Sequence, residues 1–227
     1  MTSPDSTCWT VINGAARGER RDQDDFSRRY APIVRAYIEA RWRRSALCGE
    51  ADDAVQEVFL ECFRAGGVLE RVTEERPRTF SAFLYGVTQN VALRFEAHAE
   101  RKRELPAGSA VDLDAIERSE ETLSQIFDRA WARALLKEAL NLQRTESQSH
   151  GERAERRVEL LRLRFEKGMP IRDIATEWKE DPALVHREYL LARKEFRAAL
   201  VAVLKFHHPA SDAEVEQELG LMRGLLA

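Results

Sequence analysis

The chain has 227 residues, of which 44% are hydrophobic and 33% are charged, and its formal net charge is −3. This composition is globular and excludes a disordered chain, while the small number of glycines (11) and prolines (7) favours helices over a sheet-rich fold. The sequence predicts neither a transmembrane helix nor a secretory signal, and its three cysteines fit a reducing compartment.

The first 105 residues predict a flexible arm and a helical domain. Residues 1–23 are interpreted as the arm, and residues 24–105 as the domain. Apolar residues of its first helix recur at helical spacing: Phe26, Tyr30, Ile33, Val34, Tyr37, Ile38 and Trp42. A second helix stops at Gly66 and Gly67. A third follows Pro77, with Thr79 as its cap, and ends in a basic run.

The rest of the chain predicts a linker, a second helical domain and a last helix. Residues 106–121 contain five acids and one arginine, which gives an acidic linker with four net negative charges. The second domain spans residues 122–208, with a polar loop at about residues 145–151. Residues 209–227 predict an amphipathic helix that packs on the second domain. The predicted fold is therefore all-α, with two small helical domains joined by an acidic linker.

The second helix has one acidic face. Asp52, Asp53, Gln56 and Glu57 lie opposite an apolar stripe that includes Val55. Taken alone, this segment is better explained as a solvated helix start, because acids favour the positive end of the helix dipole.

The third helix combines aromatic, amide and basic side chains. They are Phe80, Phe83, Tyr85, Gln89 and Asn90, followed by Arg101, Lys102 and Arg103. Such a combination suits unpaired bases, which stack on rings while their phosphates are attracted to cations. The alternative is that these aromatic residues are simply core.

The second domain contains the pattern of a helix-turn-helix. Ile171 to Trp178 predicts a short helix, Lys179 to Asp181 a tight turn, and Pro182 the first turn of a longer helix that Asp181 caps. On that helix Val185, Tyr189, Ala192 and Phe196 share one face. The opposite face is basic and carries His186, Arg187, Arg193, Lys194 and Arg197. An ordinary helical hairpin with a solvated basic face is the alternative, and the turn lacks the usual glycine.

Taken in order, these three segments resemble the sigma factors of bacterial RNA polymerase, in the extracytoplasmic-function (ECF) group. The acidic helix matches the family's conserved region two at Glu50, Asp52, Asp53, Gln56, Glu57 and Phe59. The next helix matches at Phe83, Leu84, Tyr85 and Asn90, with Phe in place of Trp. The helix-turn-helix matches region four at Ile174, Ala175, Val185, Ala192, Arg193 and Phe196. Glu188, Leu190 and Leu191 depart from the family pattern.

The resemblance implies a cytoplasmic transcription initiation factor, without enzymatic activity, cofactor or metal. Region two would bind the polymerase clamp helices through the acidic helix and melt the minus-ten DNA through the next helix. Region four would read the minus-thirty-five DNA and touch the polymerase flap, and the acidic linker would occupy a channel built for nucleic acid. An anti-sigma factor or another regulator is a further candidate partner. The alternative is a helix-turn-helix regulator or a helical adaptor that acts without polymerase.

Overall fold

The computed structural model describes residues 8–75, 80–103, 116, 119–207 and 212–226. Across these ranges the chain is helical and forms no strand, which confirms the all-α prediction. The helices are α1 (Cys8–Ala16), α2 (Arg20–Trp42), a 3-10 helix (Ala46–Glu50), α3 (Ala51–Phe63), α4 (Val68–Glu75), α5 (Phe80–Arg103), α6 (Glu120–Ser149), α7 (Glu152–Phe165), α8 (Ile171–Trp178), α9 (Pro182–His207) and α10 (Asp212–Leu226). Two compact units divide the chain: Met1–Ala134 with Phe206–Ala227, and Leu135–Lys205.

The core of the first unit is aromatic and centred on α2. The ring of Phe26 is fully buried, and its centroid lies 4.7 Å from that of Tyr30, 6.0 Å from that of Phe59 and 5.8 Å from that of Phe80. Edge-on contacts of this kind add to the burial of apolar area. Because Phe59 comes from α3 and Phe80 from α5, this cluster holds three helices together.

A buried ion pair joins α2 to α5. The Nε and Nη2 atoms of Arg41 donate to the carboxylate of Glu96 at 2.6 and 3.1 Å, and the indole N–H of Trp42 donates to it at 2.8 Å. The hydroxyl of Tyr37 accepts a further hydrogen bond from Arg41 at 3.1 Å. Because Arg41 donates two hydrogen bonds to the same carboxylate, the ion pair fixes the position of α2 relative to α5.

The predicted N-terminal arm, residues 1–23, differs from the structure. Residues 8–16 form α1, and α2 already begins at Arg20. Val11, Ile12 and Ala15 are buried in the core of the first unit. A nine-residue helix is stabilised mainly by such packing, so its own sequence carries a weak signal. Residues 1–7 lie outside the described part of the chain.

The first unit also contains the end of α9. The hydroxyl of Tyr30 and Nδ1 of His207 share a hydrogen bond of 3.2 Å, and the Trp131 ring stacks on Tyr30 at 5.6 Å. The guanidinium of Arg29 lies 4.9 Å from the ring centroid of Phe206. Burial, and then the positive charge of Arg29, lower the pKa of His207 to about 3, so the imidazole is neutral.

The two compact units differ in their bounds from the two predicted domains. The second unit contains residues 135–205 where the sequence predicts a domain at 122–208, and α10 lies within the first unit. Its stripe of Val215, Leu219 and Met222 is buried, as an amphipathic helix requires. Of the predicted linker 106–121, residues 116 and 119–121 are described; Ile116 is buried in the first unit's core.

The second unit contains a small core between α7, α8 and α9, formed by Leu160, Leu163, Ile174, Ala175 and Val185. The loop predicted at residues 145–151 is shorter than expected, because α6 continues to Ser149. Within this polar stretch, the hydroxyls of Thr145 and Ser149 donate to carbonyls of their own helix, at 3.0 and 2.7 Å. The break comes at Gly151, whose φ of 82° suits glycine.

Candidate nucleic-acid and protein interfaces

The acidic face predicted on α3 exists and is exposed. Asp53 and Gln56 are exposed, and the side chains of Asp52 and Glu57 are 71% and 42% exposed. The opposite face of α3 is buried against the first unit, with Val58 and Ala54 fully enclosed. We call Asp52, Asp53, Gln56, Glu57 and Leu60 the α3 face.

Leu60 is the member of the α3 face that the sequence analysis missed. Its side chain is 63% exposed, four residues after Gln56 and seven after Asp53. At about 100° per residue it lies between these two polar residues. A leucine between polar residues at helical spacing was a signal available in the sequence, and an apolar centre with a polar rim is typical of protein interfaces.

Two arginines of neighbouring helices flank the α3 face. Arg35 of α2 pairs with Asp52 at 2.5 Å, which raises the pKa of the guanidinium, and Arg94 of α5 lies 3.8 Å from Glu57. Both pairs are partly exposed and stabilise the fold little. Asp53 has no ion-pair partner among the described residues, so its charge is available to a partner molecule.

The residues predicted on α5 separate into buried and exposed groups. Phe80 is 4% exposed, and its ring is enclosed by the aromatic core, so it is not an open stacking platform. Tyr85 is half-buried, with its centroid 5.4 Å from that of Tyr37 and 5.3 Å from that of Phe127. The aromatic residues of this segment thus pack largely as core, the alternative that the sequence left open.

The polar residues of α5 lie at the surface. Asn90, Arg101 and Lys102 are exposed, Gln89 is half-buried, and Phe83 is half-buried with its centroid 5.5 Å from that of Phe80. The side chain of Arg103 lies outside the described part. The exposed amide and cations can bind a base edge and phosphates, respectively.

In the second unit, α8 and α9 are joined by a tight turn without glycine. Lys179 takes the left-handed conformation there, with φ 55° and ψ 42°. The amide of Glu180 donates to the carbonyl of Ala175 at 2.9 Å, which closes the end of α8. The carboxylate of Asp181 accepts from the amide of Ala183 at 2.6 Å, which confirms the predicted cap.

The two faces of α9 follow the prediction. Val185 and Ala192 are fully buried, and Tyr189 and Phe196 are half-buried. All five predicted basic residues are exposed: His186, Arg187, Arg193, Lys194 and Arg197. Arg193 is drawn towards Tyr189, with its guanidinium 5.7 Å from the ring centroid.

Glu188, an acid that departs from the sigma-factor pattern, pairs with an arginine of the same unit. Arg157 of α7 pairs with Glu188 at 3.3 Å and with Glu195 at 2.7 Å, and these acids raise its pKa. Glu188 therefore neutralises a charge within the second unit instead of opposing the basic face of α9.

Two kinds of site were sought in the part of the chain that the structure describes: a metal-ion site and a membrane-spanning helix. No three His, Cys, Asp or Glu side chains are grouped there to hold a metal ion. None of the described helices is both long and apolar enough to span a bilayer.

Part of the first unit matches a known protein family. Residues 26–103 match the family model of Sigma-70 region 2. This range contains the α3 face and all of α5. No curated protein matches the chain. Sigma-70 family proteins are transcription initiation factors, not enzymes. The matched residues run from within α2 to the end of α5, and this part of the chain is thus similar to Sigma-70 region 2.

Proposed function

We propose that the protein is a sigma factor of the ECF group, which directs core RNA polymerase to promoters and assists DNA melting. The observation that carries this proposal is the position of the α3 face, an exposed surface with acids and one leucine, inside the Sigma-70 region 2 match. Its partner would be the clamp helices of the polymerase. Acidic charge supports the rate and specificity of that association, and Leu60 supplies apolar area.

Minus-ten DNA would bind the exposed surface of α5. Asn90 can donate to and accept from the edge of an unpaired base, and Arg101 and Lys102 can attract the displaced strand. Because the Phe80 ring is buried, this binding depends on the amide and the cations rather than on that ring.

Minus-thirty-five DNA would bind α9, with α8 and the turn completing a helix-turn-helix. The five exposed basic residues and the internal neutralisation of Glu188 support this assignment. Arg187, near the start of α9, is placed to reach base edges, and Lys194 lies further along, where phosphates are the expected contacts. The polymerase flap and an anti-sigma factor are further proposed partners of the chain, which would act in the cytoplasm.

A DNA-binding regulator that works without polymerase is the second candidate, favoured by the basic face of α9. The two functions differ in what binds promoter DNA. We expect the purified chain alone to bind duplex DNA weakly and without sequence preference, and to select promoters once core polymerase is added. Sequence-specific binding by the chain alone, unchanged by core polymerase, would favour the regulator.

A further inference from the structure

Leu190 lies near the centre of the outward face of α9. At about 100° per residue it is rotated by roughly 140° from Val185, which is fully buried. The Leu190 side chain is 50% exposed. Leu190 is not one of the residues that form the core between α7, α8 and α9.

The neighbours of Leu190 on this face are cations. Arg187 precedes it by three residues and Lys194 follows it by four, and both are exposed. Neither forms an ion pair with another residue that the structure describes. Arg193 adds a third positive charge one turn away. The face therefore complements a surface with negative edges and an apolar centre.

Leu191 has a similar exposure, 48%, but its neighbours at the same spacing on the helix surface are acids rather than cations. Glu188 precedes it by three residues, Glu195 follows it by four, and both acids are bound to Arg157. Phosphates would be repelled from this edge of α9. The two leucines thus form an internal comparison, one among cations and one among acids.

The major groove of DNA has the required pattern. Phosphates line its two edges, and the 5-methyl group of thymine is the apolar group that base pairs present on its floor. Leucine cannot donate or accept a hydrogen bond, so it can distinguish bases in the groove only through that methyl group.

We propose that Leu190 reads the 5-methyl group of a thymine in the upstream promoter element. The proposal rests on the proposed function of α9 and extends it to a specificity-determining residue. Cations on either side of Leu190 would hold the phosphates, and the leucine would bury the methyl group between them.

Replacing thymine with uracil tests this contact, because it removes the methyl group and leaves every hydrogen-bonding atom in place. The probe is a promoter library that is randomised in the upstream element and contains either thymine or uracil in that element alone. Holoenzyme assembled with the full chain selects bound DNA from this library. We expect wild-type holoenzyme to favour thymine over uracil about three- to five-fold at one position, the discrimination expected from burying one methyl group. Leu190→Ala should abolish this discrimination, and Leu191→Ala, the matched control, should retain it.

Equal selection of thymine and uracil by the wild type, while Arg187→Ala still alters the selected sequences, would overturn the role of Leu190 and leave the proposed function intact. A loss of discrimination with Leu191→Ala equal to that with Leu190→Ala would also overturn it. If Leu190→Ala instead weakens assembly with core polymerase and leaves base selection unchanged, Leu190 belongs to a protein interface. A chain that does not assemble with core polymerase at all would overturn both proposals.

Discussion

Replacing Glu96 with alanine removes the carboxylate at the centre of the buried network between α2 and α5. That carboxylate accepts three hydrogen bonds, from Arg41 at 2.6 and 3.1 Å and from the Trp42 indole at 2.8 Å. The side chain of Arg41 is 3% exposed, so water cannot replace the lost counter-charge. Breaking a buried ion pair on one side costs about 3–5 kcal/mol, and we expect the free energy of unfolding to fall by that amount.

Removing both charges should cost less than removing one. In the double variant Arg41→Met, Glu96→Leu no buried charge is left without a partner. The indole N–H of Trp42 still loses its acceptor, which costs about 1–3 kcal/mol. The double variant should therefore be more stable than Glu96→Ala by about 2 kcal/mol.

Urea unfolding of the full chain, followed by tryptophan fluorescence, to which the fully buried Trp42 contributes, measures these differences. Glu100→Ala is the matched control, since Glu100 is an exposed glutamate on the same helix and its removal should change stability by about 0.5 kcal/mol or less. The reasoning is refuted if Glu96→Ala costs no more than the control, or if the double variant is as unstable as the single one.

Four further outcomes follow from the structure. Asp53→Asn should lower the affinity for core polymerase and its dependence on salt, with an unchanged melting temperature; equal capture of core enzyme at low and high salt would contradict this. Asn90→Ala should leave holoenzyme assembly intact but reduce permanganate-detected promoter opening, and normal opening would place the base pocket elsewhere. Lys179→Gly should raise the free energy of unfolding by up to about 1 kcal/mol. Relief of the left-handed backbone at Lys179 gains about 1–2 kcal/mol, and the extra freedom of glycine in the unfolded chain costs about 0.4–1 kcal/mol. Lys179→Ala, the control, should leave stability unchanged, and a less stable Lys179→Gly variant would contradict the backbone argument. Below pH 6.5 His207 is protonated in the unfolded chain but not in the folded one, where its pKa is about 3, so the free energy of unfolding should decrease by up to about 1.4 kcal/mol for each unit by which the pH is lowered. His207→Phe should remove this contribution to the pH dependence, measured by urea unfolding at pH 7 and pH 5. An equal pH dependence in the variant and the wild type would contradict the buried neutral imidazole.

The sequence predicts well those features that depend on helical periodicity. The exposure of Asp53 and the burial of Val58 follow from their positions around α3, and the same argument holds for Arg187 and Val185 on α9. The cap formed by Asp181 depends only on residues next to it in the sequence, so it was predicted together with the start of α9. Local patterns therefore give the all-α fold and the polar face of each candidate interface.

The sequence predicts poorly those features that depend on distant partners. An aromatic residue such as Phe80 suits either a core or a stacking surface, and its neighbours in space decide between them. Periodicity shows that α10 buries one face, but the unit that receives it cannot be read from that helix. The acid Glu96 lies four residues after the buried Ala92, a sign of burial, yet its partner Arg41 is 55 positions away.

Run-off transcription by core polymerase, with and without the purified chain, tests the central claim most directly. The template is a promoter that the holoenzyme selects from a library randomised in its upstream and minus-ten elements. We predict a discrete transcript that requires the chain, is strongly reduced by the combined substitution of Asp52, Asp53, Gln56 and Glu57, and is lost at the opening step with Asn90→Ala. Absence of any chain-dependent transcript from the library, or undiminished transcription with the combined variant, would contradict the account.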